Sequence, residues 1–273
     1  WVSQNGGETW EERIEGLPRG YIRSIVPSKF SSDRVYAAIS GLNDDDLKTY
    51  LMCSEDRGQH WRSIAGNLFD EPANVLIEDP VYENLLYAGT FRGVYCSTNR
   101  GKSWQLMGRN FPACSVADLV IQERENDLIV ATHGRGVYKL GLDVMHEKLA
   151  RDSAELDSDV VFDIPDVTLP YLSDVRPGVN FRDGEKATIS FWLKQAAKVE
   201  ITIQEEGKTL AIFVQNAYRG INQFRWNLVA ESTESPLPYF INYKSFLKPG
   251  EYQVRIKRVG HPDLEAMLRV DEK

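Results

Sequence analysis

Short runs of alternating apolar and polar residues, each closed by a turn, follow one another along most of this chain. The clearest series is Asn74-Val-Leu-Ile-Glu78, Leu85-Leu-Tyr-Ala-Gly-Thr90, Gly93-Val-Tyr-Cys-Ser97 and Ser103-Trp-Gln-Leu-Met107. β-Branched and aromatic residues suit a pleated, half-buried surface, and the Gly/Asn-rich breaks suit hairpins, so this stretch predicts four antiparallel strands. The last two runs are joined by an eight-residue signature that occurs three times: Ser3-Gln-Asn-Gly-Gly-Glu-Thr-Trp10, Ser54-Glu-Asp-Arg-Gly-Gln-His-Trp61 and Ser97-Thr-Asn-Arg-Gly-Lys-Ser-Trp104. The serines lie 51 and 43 positions apart, and the tryptophans repeat those intervals. An apolar residue inside a strand-like run falls 33 positions after each serine, at Tyr36, Tyr87 and Val130. Two features recurring in step predict a repeat unit of fixed internal dimensions. The longer interval holds eight extra residues within Gly41-Leu-Asn-Asp-Asp-Asp-Leu-Lys48, which is expected to be a loop.

Within the signature each residue type has a physical task. The short side chain of Asn5, Asp56 or Asn99 can bond turn amides, and Gly7, Gly58 and Gly101 let the backbone pass through positive φ. Trp10, Trp61 and Trp104 offer large surfaces for packing between neighbouring units. Ser3, Ser54 and Ser97 open the turn. Four antiparallel strands per unit is the content of one propeller blade.

These residues resemble the Asp-box, or BNR, repeat of sialidases, xyloglucanase-type glycoside hydrolases, sortilin-like receptors and a photosystem assembly factor. The likeness spans residues 1 to about 142 and implies a β-propeller. Asn5 and Asn99 stand where the repeat usually has Asp, and His60 where it usually has Thr, variation that suits a structural turn. In those families the box lies away from the catalytic centre, and one fold carries enzymes and binders alike.

The fourth unit is incomplete. Cys114–Gln122, Leu128–His133 and Gly136–Leu140 match three strands, but Leu140 stands where the next signature serine would fall. Thr132–Leu140 resembles the last blade of long BNR proteins, whose outer strand commonly comes from a distant part of the chain. Trp1 lies inside a blade. Closed propellers use about four to eight blades, so two whole and two partial blades predict the C-terminal part of a larger propeller, its other blades supplied by the parent chain or a partner chain.

After Leu142 the period stops. Residues 143–180 read as a linker, with a short helix around His146 to Ala154 and extended backbone set by Pro165, Pro170 and Pro177. From 181 to 273 the alternation returns in Ala187–Leu193, Lys198–Gln204, Thr209–Val214, Ile221–Asn227 and Gly250–Arg258, which suggests a β-sandwich. Their order, ending in Lys-Pro-Gly-Glu-Tyr-Gln-Val, resembles the FlgD-type immunoglobulin-like module that ends many secreted bacterial enzymes as a spacer or cell-surface connector. The expected fold class is therefore all-β: a partial Asp-box propeller followed by an immunoglobulin-like β-sandwich.

Composition narrows the partners. A net charge of −8 over 273 residues argues against nonspecific nucleic-acid binding, which needs concentrated positive charge. No apolar run approaches the ~20 residues of a membrane span. No signal peptide lies within these residues, which carries no weight about export. Three cysteines form no disulfide framework; Cys53, Cys96 and Cys114 read as small buried hydrophobes. No metal-ligand spacing, nucleophile elbow or phosphate-binding glycine loop is present.

Because connections in a four-stranded meander alternate between ends, the signature hairpins share one side of the disc. The strand two-to-three turns and the blade-to-blade segments share the other. That second side carries Asp44, Asp45 and Asp46, the Phe91-Arg92 turn, the His133-Gly-Arg135 turn, and connections with Arg19, Asp70, Glu71, Arg109 and Asn110. His133 and Arg135 could orient a carboxylate or sugar hydroxyls, although Arg92 repeats Arg135 and so also fits a structural turn. Arg92, Arg109 and Asp70 are further candidate ligand contacts. The triple aspartate fits a solvated loop, a calcium ligand set, or the carboxylate pair of glycoside hydrolysis; no other cofactor is expected. The reading that results is a secreted, periplasmic or cell-surface bacterial module binding an extracellular polysaccharide or protein ligand. Alternatives are a glycoside hydrolase whose main catalytic groups lie on other blades, and an assembly factor gripping a membrane-protein loop. Whether the protein is an enzyme stays open at this point.

Overall fold

The computed structural model describes residues 1–107, 111–151, 158–169, 186–230, 240–241 and 244–271. They form two compact units, Trp1–Leu156 and Asp157–Lys273.

The first unit is a succession of antiparallel meanders. Strands β1 (Tyr21–Pro27), β2 (Val35–Gly41), β3 (Asp46–Ser54) and β4 (Arg62–Ser63) make one four-stranded sheet in that order. Strands β5 (Ala73–Glu78), β6 (Leu86–Thr90), β7 (Val94–Ser97) and β8 (Gln105–Leu106) repeat it. Strands β9 (Val116–Gln122), β10 (Asp127–Thr132) and β11 (Val137–Gly141) form a third sheet of three strands, followed by helix α1 (Asp143–Arg151). The four-strand unit expected between Asn74 and Met107 is present, and the third sheet has the three strands expected of an incomplete unit. The eight extra residues of the first unit form a single 3-10 turn, Leu42–Asp44, and lengthen β3.

Adjacent sheets pack through small and apolar residues. Tyr36, Ala38, Leu51 and Cys53 of the first sheet share one core cluster with Leu76, Leu86, Ala88 and Trp104 of the second. Each large side chain so buried contributes about 1.5–3 kcal/mol. Between the second and third sheets the spacing is set by Gly89, where a Cβ would come within 2.5 Å of Val116 and 2.6 Å of Val75. Cys53 and Cys96 occupy matching positions opposite Tyr36 and Tyr87. All three cysteines are free and buried, and burial pushes the thiol of Cys53 up to about 11 and that of Cys96 up to about 12.

Buried carboxylates tie successive sheets together. Glu78, on β5, accepts from Ser28 Oγ at 2.9 Å, Lys29 N at 2.7 Å and Tyr36 OH at 2.9 Å, all in the first sheet or its β1–β2 turn. Its neighbour Asp79 accepts from Val81 N, Tyr82 N and Tyr87 OH and lies 2.8 Å from His146 Nε2 of α1. Burial opposes ionisation of Asp79, but the bonds from His146, Val81 and Tyr82 outweigh it and hold its carboxyl below the usual range. The Tyr82 ring meets His146 edge-on at 5.0 Å, so α1 is docked onto the second sheet.

One expectation is corrected by the register. The constant interval of 33 residues places Val130 at the position of Tyr87, yet Tyr87 pairs with Cys96 whereas Ile129 pairs with Lys139, the residue matching Cys96. Ile129 is thus the counterpart of Tyr87. The slip is absorbed in the turn, which runs from Thr90 to Gly93 in the second sheet and from Thr132 to Gly136 in the third. Gly134 and Gly136, at φ 75° and 84°, accommodate the added residue.

In the second unit β13 (Val167–Thr168), β14 (Ala187–Leu193), β15 (Ala197–Glu205), β16 (Lys208–Ala217), β17 (Gly220–Trp226) and the short β12 (Val160–Val161) precede β18 (Val229–Ala230), β19 (Phe240–Ile241), β20 (Lys244–Phe246), β21 (Gly250–Lys257) and β22 (Leu264–Asp271). The sheets run β13-β22-β21-β15-β16, β12-β14-β17 and β18-β20-β19. Alternate residues of β14, β15 and β21, such as Ile189, Phe191, Ile201, Ile203, Val254 and Ile256, enter one core with Trp226. Of the stretch expected to be linker, Asp143–Arg151 is helical, and Val160–Val161 and Val167–Thr168 pair with β14 and β22. Pro170 and Pro177 lie outside the described residues.

Candidate functional site

The three signature hairpins close by one hydrogen-bond circuit. The amides of Gly7, Gly58 and Gly101 donate to Ser3, Ser54 and Ser97 Oγ at 2.7, 2.8 and 2.8 Å. Each serine hydroxyl donates to Oδ1 of Asn5, Asp56 or Asn99 at 3.0, 2.7 and 2.9 Å, and the same Oδ1 accepts the amide of Thr9, His60 or Ser103 at 2.9 Å. Only one oxygen of the side chain is needed, so Asn replaces Asp and the circuit stays intact. In the first and third copies the amide Nδ2 then donates to the hydroxyl of Thr9 or Ser103. In the second, His60 Nδ1 stands 2.6 Å from Asp56 Oδ2. The His60 amide, its ring and Ser54 hold the Asp56 carboxyl well below its ordinary value, and Asp56 raises the imidazole. The serine hydroxyl, the Asn/Asp side chain and the glycine amide of each signature are thus engaged within the turn itself.

The tryptophans differ in setting. Trp104 is 4% exposed and donates Nε1–H to Ile64 O of the preceding connection at 2.8 Å. Trp61 packs against Ala37, Ile39 and Met52. Trp10 remains 57% exposed.

The opposite end carries the strand two-to-three turns β2–β3, β6–β7 and β10–β11 and the connections β4–β5 and β8–β9. Here Glu71 is the organising group. Its backbone exchanges two bonds with Thr49 Oγ1, at 3.0 and 3.1 Å. Its buried Oε1 accepts from Tyr95 OH at 3.3 Å and lies 3.2 Å from Arg92 Nη1. Burial, then the Glu71 carboxylate, raises the Tyr95 phenol. The Arg92 side chain is 71% exposed, so its guanidinium is tethered on one edge and open on the other.

Beside it the connection is held on both sides of Phe69 and Asp70 by buried Leu68 and Glu71. Asp70 adopts φ 52° and Phe69 is 77% exposed. A groove of about 620 Å³ runs past them, lined also by Leu17, Pro18, Lys48 and Tyr50. On the β8–β9 connection the aromatic Phe111 is packed edge-on against Tyr138 at 4.8 Å.

Asp44, Asp45 and Asp46 follow one another through the β2–β3 turn. Asp44 ends the 3-10 turn, Asp45 is left-handed at φ 56°, and Asp46 accepts from Tyr50 OH at 2.6 Å. The tyrosine bond lowers Asp46 from its usual value and raises Tyr50. Among the described residues no group of three or more His, Cys, Asp or Glu side chains could hold a metal ion. His133 and Arg135 are exposed in the widened turn; His133 N donates to Ser115 O at 2.9 Å, as Phe91 N donates to Pro72 O one sheet earlier. His133 thereby occupies the place of Phe91, and Arg135 has no side-chain partner among the described residues. Arg109 lies outside them. Chain position alone puts Glu71 on this face without giving it a role, because its tie to Arg92 and Tyr95 joins three segments. Phe69 carries no local signal, because a large aromatic is by default expected inside and only the structure shows it 77% exposed.

Antiparallel four-stranded meanders packed face to face, each closed by an Asp-box hairpin, define a propeller-type β module. Residues 1–158 match the family described as Sortilin, neurotensin receptor 3 (Sortilin-Vps10). The chain belongs to that family. Among curated proteins there is no match. Solved structures similar to it include the extracellular domain of a hybrid two-component system from B. thetaiotaomicron (10% identity, TM-score 0.32, covering 92% of this chain and 30% of that one). Others are the GH74 xyloglucanase of Xanthomonas campestris (9%, 0.36, 90% and 38%) and YCF48 bound to a D1 peptide (13%, 0.35, 91% and 66%). The chain spans about a third of the length of the first of these. No helix among the described residues is long and apolar enough to cross a membrane.

Proposed function

We propose that this chain is part of an extracellular or cell-surface propeller that binds a glycan or protein ligand on the face opposite its Asp-box hairpins. One contrast carries the reading. The serine hydroxyls, the Asn/Asp side chains and the glycine amides of the three signatures are engaged in their own turns, whereas the other end holds Arg92, Asp70, His133, Arg135 and Phe69 exposed on its turns and connections, where binding groups commonly lie. Arg92 is the leading contact, because Glu71 fixes one edge of its guanidinium and leaves the other for a carboxylate or hydroxyl pair. The second unit acts as an immunoglobulin-like connector. Further blades, from the parent chain or a partner, pack on the first sheet: Tyr21, Ile22 and Ile25 are 58%, 50% and 58% exposed, while the matching Ala73 and Leu76 on β5 are buried by β1 and β2.

Immobilised protein screened against extracellular glycans and peptides tests the assignment. Arg92→Gln, and separately the pair His133→Ala with Arg135→Ala, should weaken capture about tenfold for each contacting side chain removed. Lys102→Ala, on the hairpin end, should leave it unchanged. Weakening confined to Lys102→Ala would place binding on the wrong end and refute the proposal.

A further inference from the structure

The second unit has one long sheet edge without the devices that keep edges from pairing. β16 hydrogen-bonds on one side only, to β15. The short β18 approaches it without pairing, and among the described residues no other backbone bond reaches Lys208–Ala217. Alternate residues along that edge therefore present a free N–H and C=O, a template for another strand. Edges are normally blunted by shortness, charge, proline or bulges. The edge strands β12, β13, β18 and β19 have two residues each, and β17 carries Gln223 and Arg225. By contrast β16 is ten residues long, and Thr209–Ala217 holds neither a charged residue nor a proline. Its one irregularity lies near Thr209, so Ala211–Ala217 pairs residue for residue with Ala197–Ile203. On its core face the Phe213 ring centre lies 4.8 Å from that of Phe224 and 5.9 Å from that of Trp226, which holds the strand in place. On its other face Ile212 and Val214 are 49% and 55% exposed.

We infer that β16 pairs antiparallel with β16 of a second copy of this chain, so that the two five-stranded sheets continue into each other. A register centred on Phe213 sets Ile212 opposite Val214 of the second copy, and the reverse, on the outer face. The two exposed apolar side chains of each strand then cover each other, and such cross-strand pairs are what stabilise a sheet. No like charges meet in this register, because Lys208 falls opposite Tyr218. The pair is isologous, as most soluble oligomers are, and closes on itself instead of growing into a fibre. That symmetric match favours a second copy over an unrelated strand. Two copies joined here would present two ligand faces, which raises the apparent affinity for a repeating ligand. The pairing itself rests on the edge alone and is independent of where ligand binds.

Sedimentation velocity of the full chain over a range of concentrations is the test. A concentration-dependent rise to twice the monomer mass is expected, with hydrogen exchange slowing at alternate amides of Thr209–Ala217 as the dimer forms. Ile212→Lys combined with Val214→Lys sets lysines opposite one another across the pair and should weaken association by about tenfold or more. Circular dichroism should stay unchanged, because both side chains are exposed. Ile212→Lys combined with Val214→Glu sets each lysine opposite a glutamate of the second copy and should restore association. Ile22→Lys, on the exposed face of β1 in the first unit, should leave it unaltered. A monomer at every concentration, a dimer indifferent to the double lysine variant, no recovery with the lysine and glutamate pair, or association lost with Ile22→Lys would overturn the inference.

Discussion

Replacing the signature glycine by alanine should cost very different amounts in the first and third hairpins, although both sit at the same motif position. Gly7 has φ 97°, and a Cβ there would meet nothing nearer than the Trp10 ring at 3.7 Å. Gly7→Ala therefore incurs only left-handed strain, about 1–2 kcal/mol. Gly101 has φ 79°, and its Cβ would fall 2.5 Å from Ile64 O and 2.7 Å from Ile64 Cβ, on the connection leaving the first sheet. Backbone cannot yield there without lifting the hairpin and Trp104 with it, which adds about 1–3 kcal/mol of overpacking. Gly101→Ala should thus cost about 2–5 kcal/mol in all, a fall of roughly 4–20 °C in Tm for a unit of this size. Urea titration and calorimetry of both variants, with hydrogen exchange to separate the two units, measure the difference. Equal destabilisation, or a larger one for Gly7→Ala, would refute the claim that the third hairpin is seated on the preceding sheet.

Trp104→Phe removes the donor to the buried Ile64 carbonyl and should cost about 2–4 kcal/mol, whereas Trp10→Phe, on an exposed ring, should stay within about 0.5 kcal/mol by urea unfolding. Glu78→Ala strands the donors of Ser28, Lys29 and Tyr36 and should cost about 3 kcal/mol or more; a near-neutral result would remove the carboxylate tie between sheets. The His60–Asp56 pair has a signed pH dependence. His60 is raised, so its share of stability is full below its unfolded pKa and is lost as pH rises through the folded one; Asp56 is lowered, so its share is present above its unfolded pKa and is lost as pH falls. The pair therefore acts best in the weakly acidic window between the ordinary Asp and His values, and an NMR titration should find the His60 pKa lower in Asp56→Asn than in the parent protein.

What could be read from the pattern alone was whatever is local in sequence. Ser97, Asn99 and Gly101 bond one another within five residues, so their spacing discloses the turn, and the repeated Trp discloses the sheet order. The extra residue between Thr132 and Gly136 left no mark, because Ile129 and Val130 are both apolar and either fits the strand. Glu78 and Asp79 read as the end of one strand; their partners Ser28, Tyr36 and His146 lie 42 to 67 positions away. The helix at Asp143–Arg151 begins a few residues earlier than its pattern suggests, and what anchors it, the contact of His146 with Asp79, is 67 positions away in sequence. For the candidate site, Arg92 and Asp70 could be named from turn positions, but the Glu71 tether depends on three segments meeting.

Hydroxyl-radical footprinting of the ligand-bound chain decides whether the strand two-to-three turns and connections form the binding face while the hairpin end is structural. Phe69, Tyr95 and His133 should become protected on adding the captured ligand, with Trp10 and His60 as reactive as before. Protection of Trp10 and His60 with Phe69 and His133 unaffected would reverse the assignment of the two faces.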